Sequence, residues 1–242
     1  MADPLSLPAV VLVTGTGTGV GKTVATAALA AMILDRSPST RVAVVKPAQT
    51  GVAPGQPGDL DEVCRLVGPS ERVTYREFVR LRDPLAPAAA ARREGVTLPP
   101  VARWVGPVTD LAAAHDVVLV EGAGGLLVEL DSRGGTLADL AVALRYKGIS
   151  AGAVIVAGPG LGTLNHTALT AEALARRGIP LLGVIVGTWP QSPHEPDLAM
   201  QENLTDLPKA ARAPIVGRIA DRAGSLSSVD FRRAVATWLT VG

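Results

Sequence analysis

The sequence predicts an α/β protein built on a doubly wound, mainly parallel sheet with helices on both faces. Short runs rich in Val, Ile and Leu recur along the chain, and they are too apolar for strands with one solvated face. Segments with helical patterning separate these runs, as in alternating β–α units. Glycine-rich turns follow several of the runs, where ligands bind in sheets of this kind.

Length and composition favour one domain over residues 1–242. Cys64 is the single cysteine, so the chain has no internal disulfide, and we expect a packed thiol in a cytoplasmic protein. The formal net charge of +1 makes nucleic acid an unexpected partner. The first residues contain an acid, two prolines and no basic cluster, so we expect no signal peptide, membrane anchor or membrane partner.

Residues 10–23 read VVLVTGTGTGVGKT, an apolar strand that enters a glycine-rich turn before a helix. The glycines let the backbone turn tightly and point N–H groups inward, and the helix adds the positive end of its dipole. We expect Lys22 to reach the phosphates of a nucleoside triphosphate and Thr23 to ligate Mg²⁺. The usual pattern has glycine five residues before Gly21, where this chain has Thr16. Strand, loop, Gly-Lys-Thr and helix still occur in the required order, which predicts a phosphate-binding loop of the P-loop NTPase type.

The elements after this loop continue the alternation. The alanine- and leucine-rich residues 22–35 predict a buried helix, and residues 41–47 predict a buried strand. Residues 52–58 form a loop by composition, and either Asp59 or Asp61 opens the next helix.

Residues 69–100 are the least informative part of the chain. Within and after them, the predicted elements are a helix that starts after Pro84 or Pro87 and ends at Gly95, and a helix over residues 101–115 that is interrupted or begins near Pro107. The remaining predictions are a strand at 116–125, a helix begun by Thr136, a strand from Ala151, a helix capped by Asn165, strands at 181–190 and within 214–219, and a helix from about Ser228 to Leu239.

Charged side chains close two of the apolar strands. Lys46 ends the second strand, and Glu121 lies near the end of the strand at 116–125. Because parallel strands end at the same edge, we expect both side chains, with Gly158 and Gly187, to face one crevice beside the phosphate-binding loop. Carboxylates and a hydroxyl suit Mg²⁺, and a lysine suits a transferred phosphoryl group.

Four sequence blocks resemble the dethiobiotin synthetases of biotin biosynthesis. They are GTGTGVGKT at 15–23, KPAQTG at 46–51, VEGAGG at 120–125 and GLGTLNHTALT at 160–170, in that family's order and spacing. The resemblance spans about residues 11–217. The family's loop pattern, GTxTxVGKT, shares the displaced glycine.

The resemblance implies an ATP-dependent ligase that joins CO₂ to 7,8-diaminononanoate. One amine captures CO₂ as a carbamate, the carbamate oxygen attacks the γ-phosphate, and the second amine displaces phosphate to close a cyclic urea. It also implies Mg²⁺ and a homodimer whose active site lies at the subunit interface.

The resemblance further implies roles for individual residues. Catalysis would involve Lys22, Lys46 and Thr18, and Mg²⁺ would be held by Thr23, Asp59 and Glu121. Nucleotide contacts would come from Thr16, Gly17, Thr18, Gly19, Val20, Gly21, Lys22, Thr23, Val24, Asp59, Glu121, Gly187, Thr188, Ala220, Asp221 and Arg222. Substrate contacts would come from Thr18, Lys46, Thr50, Gly124, Gly125, Leu161, Gly162, Thr163, Leu164 and Asn165. The last five of these residues would bind the carboxylate of the substrate that lies in the neighbouring subunit.

The chain departs from the family pattern near the nucleotide base. Gly187 and Thr188 stand where many members carry Asn-Asp to read adenine, so we expect CTP or GTP to be accepted alongside ATP. Residues 217–220 lack the acid and proline that are common there. We expect His166 to pack, since the reaction leaves no role for it. The alternatives are a nucleotide-binding switch or a partition-type ATPase, although the phosphate-binding loop has no early second lysine.

Overall fold

The computed structural model describes residues 7–239, which contain one seven-stranded parallel sheet. Residues 1–6, on which the expectation of no signal peptide partly rests, and residues 240–242 lie outside the described chain. The sheet order is β3-β2-β4-β1-β5-β6-β7. The strands are β1 (Val10–Gly15), β2 (Val42–Gln49), β3 (Val73–Arg80), β4 (Val117–Gly125), β5 (Ala151–Ala157), β6 (Leu181–Trp189) and β7 (Ile215–Ala220).

Helices connect the strands, as the alternating pattern predicts. They are α1 (Lys22–Arg36), α2 (Asp59–Val67), α3 (Pro87–Glu94), α4 (Val105–Ala114), α5 (Leu137–Tyr146), α6 (Thr163–Arg176), α7 (Leu198–Ala211) and α8 (Ser228–Trp238). Short 3₁₀ turns at Val101–Trp104 and Ala223–Ser225 precede α4 and α8. None of the helices within residues 7–239 is long and apolar enough to cross a membrane.

The sheet lies between two helical layers. In β1, Val11 and Val13 pack toward α1, α2 and α8, whereas Val10 and Leu12 pack toward α4, α5 and α6. Because both faces are covered, successive side chains of β1 are all buried, which explains the continuous apolar runs. The predicted fold class is confirmed.

The central strand β1 pairs with β4 on one side and β5 on the other. The chain forms β2, β3 and β4 on one side of β1 and then β5, β6 and β7 on the other, which makes the end of β1 a switch point of the topology. The loop after β1 and the ends of β2 and β4 meet there.

Two elements were not predicted. The strand β3 lies at the sheet edge, and its sequence VTYREFVR carries charges on partly exposed positions, so it lacks the apolar run of the inner strands. The helix α7 contains Pro208 in its last turn and few fully buried residues, which hid its periodicity.

One predicted boundary was wrong. The helix α6 begins at Thr163 after Gly162, which has φ +92°, so Asn165 lies inside the first turn and is not the cap. The helix α4 begins at Val105, near Pro107 as predicted, because proline in the first turn of a helix has no intrahelical N–H bond to lose. Likewise, Thr136 begins α5 with a reciprocal capping arrangement with Asp139, as predicted.

Candidate active site

The loop between β1 and α1 curls around its own lysine. Gly19 and Gly21 adopt φ of +75° and +91°, which favour glycine. The Lys22 ammonium donates a 2.8 Å hydrogen bond to the Gly17 carbonyl, which places it over the loop. Burial and the nearby Lys46 ammonium lower the pKa of Lys22. A phosphate group would supply the negative charge that this half-desolvated cation lacks.

The displaced glycine of the loop has a steric reason. A Cβ on Gly15 would lie 2.8 Å from the Gly17 carbonyl oxygen and 2.9 Å from a methyl of Val20. The tight curl therefore requires glycine at the last position of β1, one residue before Thr16. The unusual position of this glycine is therefore explained by the close approach of Gly17 and Val20 to Gly15.

Lys46 joins two carboxylates beside the loop. Its Nζ lies 2.5 Å from Asp59 Oδ2 and 2.8 Å from Glu121 Oε1. The Lys46 and Glu121 side chains are 4% and 1% exposed, whereas that of Asp59 is 33% exposed. Burial lowers the pKa of Lys46, but the charges and hydrogen bonds of Glu121 and Asp59 outweigh burial and raise it. Lys46 therefore stays charged in the buried cluster.

The same cluster has the oxygen donors that Mg²⁺ prefers. Thr23 donates its hydroxyl to Glu121 Oε1 at 2.9 Å, and Glu121 Oε2 is buried without a hydrogen-bond partner. A buried carboxylate oxygen with no partner is costly, so it calls for a cation. Within residues 7–239 no group of three or more His, Cys, Asp and Glu side chains converges. A cation here would rest on two carboxylates and a hydroxyl, a set that suits Mg²⁺ together with phosphate and water.

The structure distinguishes the two acids that could open α2. Asp61 accepts the Gly58 backbone N–H at 2.7 Å and so caps its own helix. Asp59 points to Lys46 instead, and its backbone N–H donates to Gln49 Oε1 at 2.9 Å. Sequence reasoning missed Gln49, although it lies in the block at 46–51, because its partner is ten residues away.

These side chains line one cavity of about 730 Å³ at the carboxyl ends of β1, β2 and β4. The predicted site residues that the cavity brings together are Thr18, Gly19, Gly21, Lys22, Thr23, Val24, Lys46, Thr50, Asp59, Glu121 and Gly124. The opposite wall consists of Pro84, Leu85, Ala86, Pro87 and Val128, which were not predicted as site residues. In the sequence, only the two prolines before the helix α3 marked this part of the chain.

A second group of predicted residues lies at the ends of β6 and β7 and does not line the cavity. Gly187 is packed against the phosphate-binding loop, since a Cβ there would lie 2.1 Å from the Val20 carbonyl oxygen. Asp221 donates its backbone N–H to the Trp189 carbonyl at 2.7 Å, and the Arg218 guanidinium lies 4.8 Å from the centre of the Trp189 ring. Gly158 and Gly187 therefore do not line the cavity that holds Lys46 and Glu121, although Gly187 lies beside the phosphate-binding loop.

The residues at the start of α6 lie outside the cavity as well. Leu161 is 93% exposed, and Asn165 is exposed. His166 is also exposed, so the expectation that it packs is wrong; its position in the first turn of α6 faces it away from the sheet. This stretch presents the first N–H groups of a helix, which have no intrahelical partner, to its surroundings.

The Gly-Lys-Thr loop follows the central strand, and a neighbouring strand presents its buried carboxylate to the hydroxyl of that loop. By this arrangement the molecule is a P-loop NTPase. A family profile described as an AAA domain matches residues 9–225. A crystal structure of a ParA family ATPase from Chlorobium tepidum TLS shares the fold at a TM-score of 0.57 with 15% identity, covering 94% of this chain and 90% of that one.

Sequence relatives define the family more narrowly. ATP-dependent dethiobiotin synthetase BioD of Streptomyces avermitilis is 52% identical over 236 residues, which cover 95% of this chain and 91% of the relative. The protein of the same name from Rhodococcus jostii is 51% identical over 229 residues, covering 95% and 94%. The chain belongs to the dethiobiotin synthetase family, as its four sequence blocks predicted.

Proposed function

We propose that this chain is an ATP-dependent dethiobiotin synthetase, a ligase that closes a cyclic urea on 7,8-diaminononanoate. The observation that carries the proposal is the buried cluster of Lys46, Glu121 and Asp59 beside the phosphate-binding loop, in a chain about half identical to enzymes of that name. A simple nucleotide switch has no use for a second buried lysine between the phosphates and an apolar wall.

The reaction needs charge compensation and positioning but no protein nucleophile. One amine adds to CO₂ and loses a proton, and an oxygen of the resulting carbamate attacks the γ-phosphorus and releases ADP. The second amine attacks the carbamoyl carbon, inorganic phosphate leaves, and the ring closes. Each step moves negative charge among oxygens that a lysine can stabilise.

The residues of the cavity divide this work. Lys22 holds the phosphates, Lys46 lies where it can also bind the carbamate, and Thr18 and Thr50 contact the diamine end. Thr23, Asp59 and Glu121 would hold Mg²⁺, which neutralises charge on the β- and γ-phosphate oxygens.

The wall opposite the phosphate-binding loop suits the methylene chain of the substrate. Pro84, Leu85, Pro87 and Val128 offer apolar surface, and Gly124 lets the backbone approach closely at φ +70°. Apolar walls with a few polar groups at one end are typical of small-molecule sites. They also limit hydrolysis of the mixed anhydride by excluding water.

We propose a homodimer whose partner subunit supplies the carboxylate-binding residues Leu161–Asn165. Two features support it: these residues do not line the cavity of their own chain, and Leu161 and Leu169 of the same face are exposed. A helix N-terminus with free N–H groups suits a carboxylate.

Mixed subunits test this arrangement. Lys22→Ala inactivates the cavity, and Gly162→Val strains the loop at φ +92°. If the loop serves the partner, hybrids have one intact site, and a 1:1 mixture regains roughly one quarter of wild-type activity. A mixture of Lys22→Ala with Lys46→Ala, both in the cavity, regains none. Equal recovery in both mixtures, or none in either, contradicts a shared site.

We propose that ATP, CTP and GTP are all accepted. The position of the adenine-reading amide is taken by Gly187, and a hydrogen bond of that kind contributes roughly 0.5–1.5 kcal/mol. In competition at equal concentrations, we therefore expect turnover with the three nucleotides to differ by about tenfold or less. Exclusive use of ATP would contradict this.

The decisive experiment supplies 7,8-diaminononanoate, bicarbonate, Mg²⁺ and ATP and measures both phosphate and the cyclic urea. We expect one phosphate per ring and no phosphate release without the diamine. Hydrolysis of ATP that is independent of the diamine, with no ring formed, would favour a switch or partition-type ATPase.

We also propose that residues 1–242 act as a single domain in the cytoplasm, where ATP is available.

A further inference from the structure

We propose that Asn203, on α7, is a positioning residue for substrate binding: its side chain holds the loop before α6 in the shape that binds the substrate carboxylate. The proposal rests on the proposed function and names a residue that lies outside all four sequence blocks.

The side-chain hydrogen bonds of Asn203 go to the loop before α6. Its Nδ2 donates to the Pro159 carbonyl at 2.8 Å and to the Gly160 carbonyl at 3.1 Å. The side chain is buried, with 6% of the residue exposed, although it is an amide on a helix. Burying a side-chain amide without hydrogen-bond partners is costly, so the two bonds to the loop are what stabilise Asn203 in this position.

The loop has little else to hold it. It contains Gly158, Gly160 and Gly162, and a Cβ added at any of the three would meet no atom within 4 Å. Leu161, between two of them, is 93% exposed. Pro159 is buried, but a stretch with three glycines has high conformational freedom, so the two bonds from Asn203 restrict it.

The direction of these bonds matters for ligand binding. Because the Pro159 and Gly160 carbonyls accept hydrogen bonds from Asn203, they are held toward α7, and the Gly160 carbonyl also accepts the Thr163 N–H at 3.3 Å. The adjacent first turn of α6 is held near the same helix, because Leu164 packs against the cluster that contains Leu207 of α7. Carbonyls that face an anion would repel it, whereas the free N–H groups of the helix start attract it.

The test uses Asn203→Asp, which keeps the shape but replaces the donor with a carboxylate facing two carbonyls. We expect KM for 7,8-diaminononanoate to rise roughly tenfold or more, with kcat and KM for ATP changed less than twofold. Leu207→Ala is the matched control on the same helix, since it removes packing from the cluster that Leu164 packs against but leaves both hydrogen bonds of Asn203 in place. It should lower stability without changing KM for the diamine.

Two readouts separate a positioning role from a structural one. With 7,8-diaminononanamide, which lacks the carboxylate, wild type and Asn203→Asp should have the same kcat/KM. Without any substrate, hydrogen exchange of residues 158–166 should be faster in Asn203→Asp than in Leu207→Ala. Equal losses with acid and amide, or unchanged exchange, would overturn the proposal. Failure of the wild type to form the ring counts against the proposed function instead, because exchange is measured without substrate.

Discussion

The two ends of the site are held in opposite ways. On the phosphate side, defined by Lys22, Thr23, Lys46, Asp59 and Glu121, the buried Lys46 and Glu121 are joined to each other, to Asp59 and to Thr23 at 2.5–2.9 Å. On the anion side, defined by residues 158–165, a glycine-rich loop that exposes Leu161 is held to α7 by the amide of Asn203.

The difference follows from what each side must do. Groups that stabilise charge during phosphoryl transfer are most effective when they are fixed and desolvated before reaction. A loop that binds the substrate carboxylate of a neighbouring subunit, as we propose, must be open to that subunit, so it cannot be buried in its own chain. Substitutions on the phosphate side should therefore affect turnover or stability strongly, and those on the anion side should affect substrate binding.

The largest expected effect is that of Lys22→Ala. Removing the ammonium that lies over the loop should lower kcat by about 10³-fold or more, because the developing charge on the phosphates loses its main protein cation. The circular dichroism spectrum and unfolding transition should be close to wild type, since within residues 7–239 the Lys22 ammonium makes one hydrogen bond, to its own loop. Turnover within tenfold of wild type would show that the loop is not where the phosphates react.

Lys46→Met should have the largest effect on stability. The change leaves Glu121 buried without its counter-ion, and breaking a buried pair in this way costs about 3–5 kcal/mol. Urea unfolding measures the loss. The double variant Lys46→Met/Glu121→Gln should recover most of it, because the remaining unpaired carboxylate, Asp59, is partly exposed. No recovery would mean that packing of the Lys46 stem, and not its charge, stabilises the cluster.

These two lysines also show how much the sequence could predict. The local order of strand, glycines and Gly-Lys-Thr determines where Lys22 lies, and an apolar strand ending in Lys46 or Glu121 places those groups at the common sheet edge. Both the fold class and the composition of the phosphate side were therefore predictable.

The rest depends on contacts between distant segments. Gln49 acts on Asp59, Asn203 acts on a loop more than forty residues earlier, and Pro84 faces the phosphate-binding loop only after β3 has formed. The local pattern around each of these residues is that of an ordinary strand, helix or turn. The edge strand β3 and the helix α7 were missed for the same reason, because tertiary packing compensates for their weak periodicity.

The contact between the end of β6 and the phosphate-binding loop can be tested at Gly187. A Cβ there would lie 2.1 Å from the Val20 carbonyl oxygen, so Gly187→Ala must displace the phosphate-binding loop. We expect a loss of about 3 kcal/mol in urea unfolding and a higher KM for every nucleotide. Gly158→Ala is the control, since a Cβ there meets no atom within 4 Å. Similar effects of the two changes would mean that loss of glycine flexibility, and not steric contact, is the cause.

A smaller, pH-dependent effect on the free energy of unfolding is expected at Asp131, which lies outside the cavity and holds one of its loops. Its carboxylate accepts the backbone N–H groups of Val101, Arg133 and Gly135 at 2.6, 2.7 and 3.0 Å, and so fixes the loop that carries Val128. Burial raises the pKa of Asp131, but these three N–H groups outweigh burial and hold it below its usual value.

The sign of the pH dependence follows from that lowered pKa. The stabilisation is complete above the unfolded pKa of about 3.9 and is lost as the pH falls through the lower folded value. Asp131→Asn retains the oxygen that accepts from Arg133 and Gly135 but turns an amide toward the Val101 N–H, so it should cost about 1.5 kcal/mol at pH 7. The free energies of unfolding of the two proteins, measured in urea, should begin to converge as the pH falls below about 4 and should meet below the folded pKa of Asp131. Asp110→Asn, an exposed change on α4, controls for net charge and should show no such convergence. A difference in the free energy of unfolding that stays constant down to acid pH would mean that packing of the side chain, and not its negative charge, stabilises the loop.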